Sequence, residues 1–295
     1  MLTEDYIIQV YCVVDELMKK NVEKRIRERG TAPELTDEEV ITMEIVGETM
    51  GMDKDTAIHA YFKNHWSHFF PKLGHRTTFA RQAANLWKIK SQIQETIVRK
   101  MLPDGGNLSI IDGLPMPICN FRRAKNLKVF RGSAAYGYCA AKDMHYYGFK
   151  GHLLVDKSGL VLGFTAAAAN VDERDAMFDL ISEAAENILG DKGYICAPET
   201  KDDLTQCGKK IHTPLRENMK DDRPKWFVNK LNNKRRLIET VIGQLTDRFN
   251  FEKVRARDLW HLTVRTGRKI LAHTVDCYIN CVLGNPILQF DRILN

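Results

Sequence analysis

Ser109-Ile110-Ile111-Asp112-Gly113-Leu114-Pro115 is the stretch on which the fold of this chain turns. Ser109, Ile110 and Ile111 follow the Gly105-Gly106-Asn107 turn and favour extended backbone, and Gly113 and Pro115 are breakers. A short apolar run bounded in this way reads as a buried strand ending near Asp112. An ionised carboxylate at the carboxyl end of a sheet strand is costly without a partner, and a cation is the obvious one. The plainer alternative is a turn or capping aspartate. Two further acidic residues downstream favour the first reading.

With 295 residues, 44% hydrophobic and 28% charged, the chain has the composition of a folded protein of one large domain or two ordinary ones. No run approaches the 18 apolar residues of a membrane span. The opening MLTEDYIIQVYCVVDELMKK carries acid where a signal peptide needs base, and it reads as an amphipathic helix. Seven scattered cysteines without CxxC spacing point to a reducing cytosol, and away from a disulfide frame or a structural zinc site. Charge is uneven. Residues 1–48 hold 12 acidic and 6 basic side chains, residues 62–100 hold 8 basic and 1 acidic, and residues 201–270 hold 18 basic and 9 acidic. Two basic regions suit a polyanion held at two places, although solvated helix faces can look the same.

In chain order, Glu4 to about Arg29 has helical spacing, and Thr36-Asp37-Glu38-Glu39 is a capping box opening a helix to about Met50. A short helix is expected over Asp53–Phe62, and a long one capped by Thr77 and running through Lys100. Arg76 lies just before that cap, and Arg81, Lys88 and Lys90 belong to its polar surface. Such a set suits a helix-turn-helix-like DNA-binding domain over residues 1–104, or a plain helical bundle. After Pro103-Asp104-Gly105-Gly106 the periodicity changes, and residues 105–295 read as a mixed α/β sheet domain. Strands are expected over Met144–Val155 and Leu160–Ala168, joined as a hairpin, then over Asn187–Gly190 and Lys210–Pro214. Helices are expected over Asp172–Glu186, Pro198–Cys207, Lys234–Phe249 and Trp260–Leu283, with the last packing beneath the sheet.

Asp112 ends one strand, Asp191 ends another, and Glu239 lies on the Lys234–Phe249 helix. Adjacent strands would set the aspartates side by side, with the helix bringing the glutamate across them. Three converging carboxylates repel unless divalent cations neutralise them, and hard oxygen ligands select Mg2+ or Mn2+. Two such ions suit in-line phosphoryl transfer. Arg235, four residues before Glu239, emerges on the same helix face, so a surface ion pair is the competing role for Glu239.

Asp112 in IIDGLPMPIC, YGFKGHLLVD, Asn170 and Asp172 in AANVDERD, Asp191 in LGDKGY, and Arg235 with Glu239 in RRLIET together resemble a DDE transposase of bacterial insertion sequences, most closely the insertion sequence 982 family. The resemblance extends to FFPKLGHRTTFAR in the helical front part. It implies a ribonuclease H-like catalytic domain after an all-helical N-terminal domain, with Asp112, Asp191 and Glu239 as a metal-binding triad. It also implies double-stranded DNA as partner, at inverted-repeat ends and at the target. A homodimer follows because two ends are handled together, and the setting implied is bacterial cytosol at the nucleoid. Related families read Tyr-x2-Arg-x3-Glu-x6-Lys on this helix. Here Asn232 and Thr246 stand at the Tyr and Lys positions, so the grip on the DNA end is not carried over.

Lys150 and His152 alternate along a strand and share a face toward DNA or toward the core. Lys192 and Tyr194 flank Asp191, Arg216 belongs to a basic, Pro-containing loop, and Arg236 adjoins Arg235. These six and Arg235, with Arg76, Arg81 and Lys88 of the helical domain, are candidate DNA contacts. Asp172 reads as a helix cap. The competing functions are a structure-directed nuclease of the same fold and a catalytically inactive, domesticated DNA-binding protein.

Overall fold

The structure is a computed structural model that describes residues 1–21 and 32–294. It forms two compact units, one of Leu102–Gly243 and one of Met1–Met101 together with Gln244–Asn295.

The Leu102–Gly243 unit is built on a mixed sheet. Its strands are β1 (Leu108–Asn120), β2 (Ala135–Cys139), β3 (Met144–Asp156), β4 (Val161–Ala168), β5 (Asn187–Leu189) and β6 (Lys210–His212), in the order β2-β3-β1-β5-β6 with β4 also on β3. β2 and β4 lie end to end along one edge of β3, pairing with residues 144–148 and 149–155 respectively. β3 runs antiparallel to β1, β2 and β4, whereas β5 runs parallel to β1 and β6. β1 continues well past the breakers Gly113 and Pro115. It is flanked by β5 only over residues 108–110, so beyond Ile110 one of its edges is open and prolines without an N–H are tolerated there. The register slips between Pro117 and Cys119.

One sheet face carries Ile111, Leu154 and Ile188. It is covered by Met177, Leu180 and Ala184 from the segment after α6 (Glu173–Met177), and by Leu204 of α7 (Pro198–Gln206). Burying these side chains stabilises the unit by ~25 cal/mol for each Å² of apolar surface removed from water. Ser109 Oγ accepts the Ala185 N–H at 2.8 Å and ties this layer to β1. Asp172 caps α6 as expected, accepting the Arg174 N–H at 2.9 Å. Regular α-helix after it is confined to Glu173–Met177 instead of running to Glu186.

The other unit contains α1 (Thr3–Asn21), α2 (Asp37–Thr49), α3 (Asp55–His65), α4 (Arg76–Asn85), α5 (Trp87–Met101) and α9 (Leu259–Val282). The expected continuation of the first helix to Arg29 lies outside the described residues. The capping box forms as read: Thr36 Oγ1 accepts the Glu39 N–H and Glu39 accepts the Thr36 N–H. α2 is buried from Val40 to Thr49, which places it at the centre of this unit. The expected Thr77–Lys100 helix is two helices with a break at Leu86, and the side-chain cap comes from His75. Lys90 is not on a polar surface. It is 2% exposed and pairs with Glu44 at 2.8 Å. α9 packs on α5 and α2 within this helical unit rather than beneath the sheet.

Candidate active site

Parallel pairing of β1 with β5 sets Ile110 opposite Leu189. Asp112 and Asp191 each stand two residues further on, so alternation points both to the same sheet face just where the strands part. Asp112 accepts the Gly113 N–H at 2.8 Å, and Asp191 accepts the Lys192 N–H at 2.5 Å. Burial pushes the Asp112 carboxyl up to about 6. The Gly113 N–H and Arg235 pull it down, and repulsion from Asp191 and Glu173 pushes it up.

Arg235 comes from α8 (Lys225–Asp247), which begins nine residues before the expected Lys234 because Pro224 starts it: the Phe227 and Val228 N–H groups donate to the Pro224 carbonyl. Arg235 Nη2 lies 3.2 Å from Asp191 Oδ1, with the guanidinium largely buried and its Nε without a hydrogen-bond partner. Glu239, one turn along on the same helix face, is exposed.

Glu173 is the site residue that the sequence reading misses. Its Oε1 accepts from Lys150 Nζ at 2.9 Å. The carboxylate occupies space that a side chain at Gly193 would fill, and it lies 3.6 Å from where a Cβ at Gly113 would stand. The signal for it was a glycine one residue past Asp112 and two past Asp191, since both glycines leave room for the Glu173 carboxylate. Farther in, His152 Nδ1 and the Tyr194 hydroxyl are 2.9 Å apart, both side chains fully buried. Burial pushes the His152 imidazole down to about 4, so it is neutral, and its Nε2 has no partner.

The structure therefore brings Asp112, Asp191 and Arg235 together, while Glu173 and its partner Lys150 lie against Gly113, on the sheet face opposite Asp112 by alternation. His152 and Tyr194 are placed in the core, where neither offers a surface to a ligand. Lys192, Arg216 and Arg236 are exposed, as are Arg76, Arg81 and Lys88 in the helical unit. Among the described residues no three His, Cys, Asp or Glu side chains are gathered closely enough to hold a metal ion. The donor chemistry nevertheless suits a hard divalent cation: two adjacent carboxylates repel each other, and arginine charge balances only one of them directly.

The two carboxylates, adjacent where the parallel strands part and backed by an arginine, lie within a segment whose family match suggests a nucleic-acid-processing enzyme. The chain belongs to the family described as transposase DDE domain, whose model matches residues 104–259, more than half its length. That family implies a ribonuclease H-like fold, a DNA substrate and, in general, the use of divalent metal ions. No curated protein and no solved structure gives a match. No helix among the described residues is long and apolar enough to cross a membrane.

Proposed function

We propose that this chain is an insertion-sequence transposase, most like the insertion sequence 982 family. In this reading it nicks DNA at inverted-repeat ends and joins the freed 3′-hydroxyl to target DNA. The observation that carries it is the Ile110–Leu189 register, which brings Asp112 and Asp191 side by side inside the family-matched segment.

Asp112 and Asp191, with Glu239 as third carboxylate, are the residues that would hold Mg2+, or Mn2+ as a substitute. Such ions, when bound, lower the pKa of an attacking water or hydroxyl and stabilise the leaving oxygen. Arg235 holds the Asp191 carboxylate in one orientation and offsets the repulsion between the aspartates. Lys192 and Arg236 flank this centre as exposed cations for phosphate, and Arg216 extends the surface along the loop after β6. In the helical unit, Arg76, Arg81 and Lys88 provide further exposed cations. A homodimer would handle both element ends at once, acting on DNA in the cytosol at the nucleoid.

A cleavage and joining assay on labelled DNA from the flanks of the gene tests this reading. Metal-dependent nicks at a repeat boundary followed by joined products, lost in Asp191→Asn and in Glu239→Gln, are expected. Cuts without joining, scattered away from any repeat, would replace the transposase by a nuclease. Binding without cutting under any divalent metal would leave an inactive DNA-binding protein.

A further inference from the structure

We infer that the sheet surface around β2 is a stacking platform for an unpaired stretch of DNA strand. The transposase reading supplies only the origin of that strand. Tyr136 and Tyr138 stand opposite Tyr147 and His145 in the β2–β3 pairing, so all four share one sheet face. Phe121, just after β1, joins them, with its ring 4.9 Å from that of Tyr136. The rings buttress one another: Tyr136 and Tyr147 lie 5.2 Å apart, and Tyr138 and His145 4.6 Å. Phe121, Tyr136 and Tyr138 are nevertheless 50%, 46% and 48% exposed, so this is aromatic surface held in place and left open.

Its charge decides the occupant. Residues 119–147 contain six basic side chains and a single acid, Asp143, which accepts the Tyr138 hydroxyl at 2.8 Å. Arg122, Arg123, Lys125 and Lys128 are exposed, and among the described residues no carboxylate pairs with them. Protein interfaces are depleted of lysine, whereas open rings among unneutralised cations are what unpaired bases and their phosphates bind. A duplex hides its base faces and could use only the cations.

The platform also lies in line with the active site. Residues 145, 147, 149, 151 and 153 of β3 share a face by alternation, and Leu153 is the register partner of Asp112. Six residues of strand separate Leu153 from Tyr147, ~20 Å at the usual rise. Phe149 and Leu153, between these rings and Asp112 on this face, are buried, so a strand held at Asp112 reaches the rings by passing over the side chains that cover them, Phe130 among them.

The test uses the full chain in EDTA, with fluorescein-labelled oligo-dT of about 15 nucleotides and a duplex of equal length. Tyr136→Ala/Tyr138→Ala is expected to weaken single-strand binding roughly ten- to a hundredfold. Duplex binding should change much less, and the quenching of a matching oligomer that carries one 2-aminopurine in place of a thymine should be lost. Tyr136→Phe/Tyr138→Phe, which keeps both rings, should restore both readouts, and Phe121→Ala gives a second variant should the double alanine fail to fold. Unchanged single-strand binding, an equal loss for duplex, or no rescue by the phenylalanines would overturn the platform. So would a change in sedimentation in place of a change in binding, which would mark a surface for a second copy. Joining at repeat ends by a protein that does not bind the oligomer would sink this inference alone. Single-strand binding without any cleavage would sink the transposase reading alone.

Discussion

Arg235 Nη2 sits 3.2 Å from Asp191 Oδ1, tying the helix that carries Glu239 to the end of β5. In that position the guanidinium competes with any cation for the same oxygen. Arg235→Ala should lower the half-saturating Mg2+ concentration for DNA cleavage several-fold while also lowering the maximal rate. Arg235→Lys keeps the charge but loses the planar fork, and it should restore the metal requirement better than the rate. A metal titration with unchanged midpoint in both variants would show that the contact does not reach the metal step.

Two glycine-to-alanine changes should have opposite consequences. A Cβ at Gly148 would run into the Met116 carbonyl and come within 2.8 Å of the Ile118 N, backbone that moves only if β1 and β3 separate. Gly148→Ala should destabilise by about 3 kcal/mol or more. A Cβ at Gly193 meets only the end of the Glu173 side chain, which can swing away. Gly193→Ala should therefore leave stability within about 1 kcal/mol while displacing Glu173 from Lys150. Thermal unfolding of the two variants decides the first point, and the second shows as altered metal dependence without loss of fold.

In the helical unit, two buried groups titrate in opposite senses. Burial pushes the Asp276 carboxyl up from 3.8 to about 7, even though Tyr6 and Thr49 donate to it. Its raised value means that its contribution is fully present below pH 3.8 and is lost as pH rises through about 7. Burial pushes His273 down from 6.5 to about 3, so its contribution is present above pH 6.5 and lost as pH falls toward 3. Between roughly pH 4 and 6.5 the two slopes oppose. Relative to the parent, Asp276→Asn should gain stability with rising pH across that window, and His273→Gln should lose it. Each total is on the order of 4–5 kcal/mol. Differences between variant and parent cancel the contribution of Asp112, and parallel stability curves would refute the assignment.

Glu48 accepts from both Arg268 and Lys269 at 2.6 and 2.7 Å, with all three side chains at most 2% exposed. Lys269→Met leaves Glu48 short of a partner in the core and should cost about 3–5 kcal/mol. Adding Glu48→Gln should recover part of that loss. A double variant no more stable than the single one would mean that packing, not charge, sets the cost.

Where local chemistry is decisive, the sequence was readable. Thr36 and Asp172 cap their helices as read, and the strand before Asp191 is where its apolar residues place it. Asp112 and Asp191 become neighbours only through the Ile110–Leu189 register, which alternation could suggest but not establish. β1 runs on because of an open edge, a tertiary fact invisible in Gly113 and Pro115. Lys90 looks like a surface cation until Glu44, distant in sequence, is found beside it. Glu173 was hidden for the same reason, since it fills the space beside two glycines, Gly113 and Gly193, that are 80 residues apart. β2 alternates tyrosine with small residues, and its Ala and Gly positions masked a strand whose aromatic side faces outward.

The Glu44–Glu48–Arg268–Lys269 cluster also sets a timetable for the newborn chain. Glu44 meets Lys90 only 46 residues later, but Glu48 leaves the ribosome some 220 residues before Arg268 and Lys269, the two cations that it needs. At roughly 5–20 residues per second, that interval lasts on the order of ten seconds or more. The sheet, whose strands all lie between those two segments, can pair during the interval. The helical unit must wait with α2 unsealed, exposed to proteases and chaperones until α9 has been made.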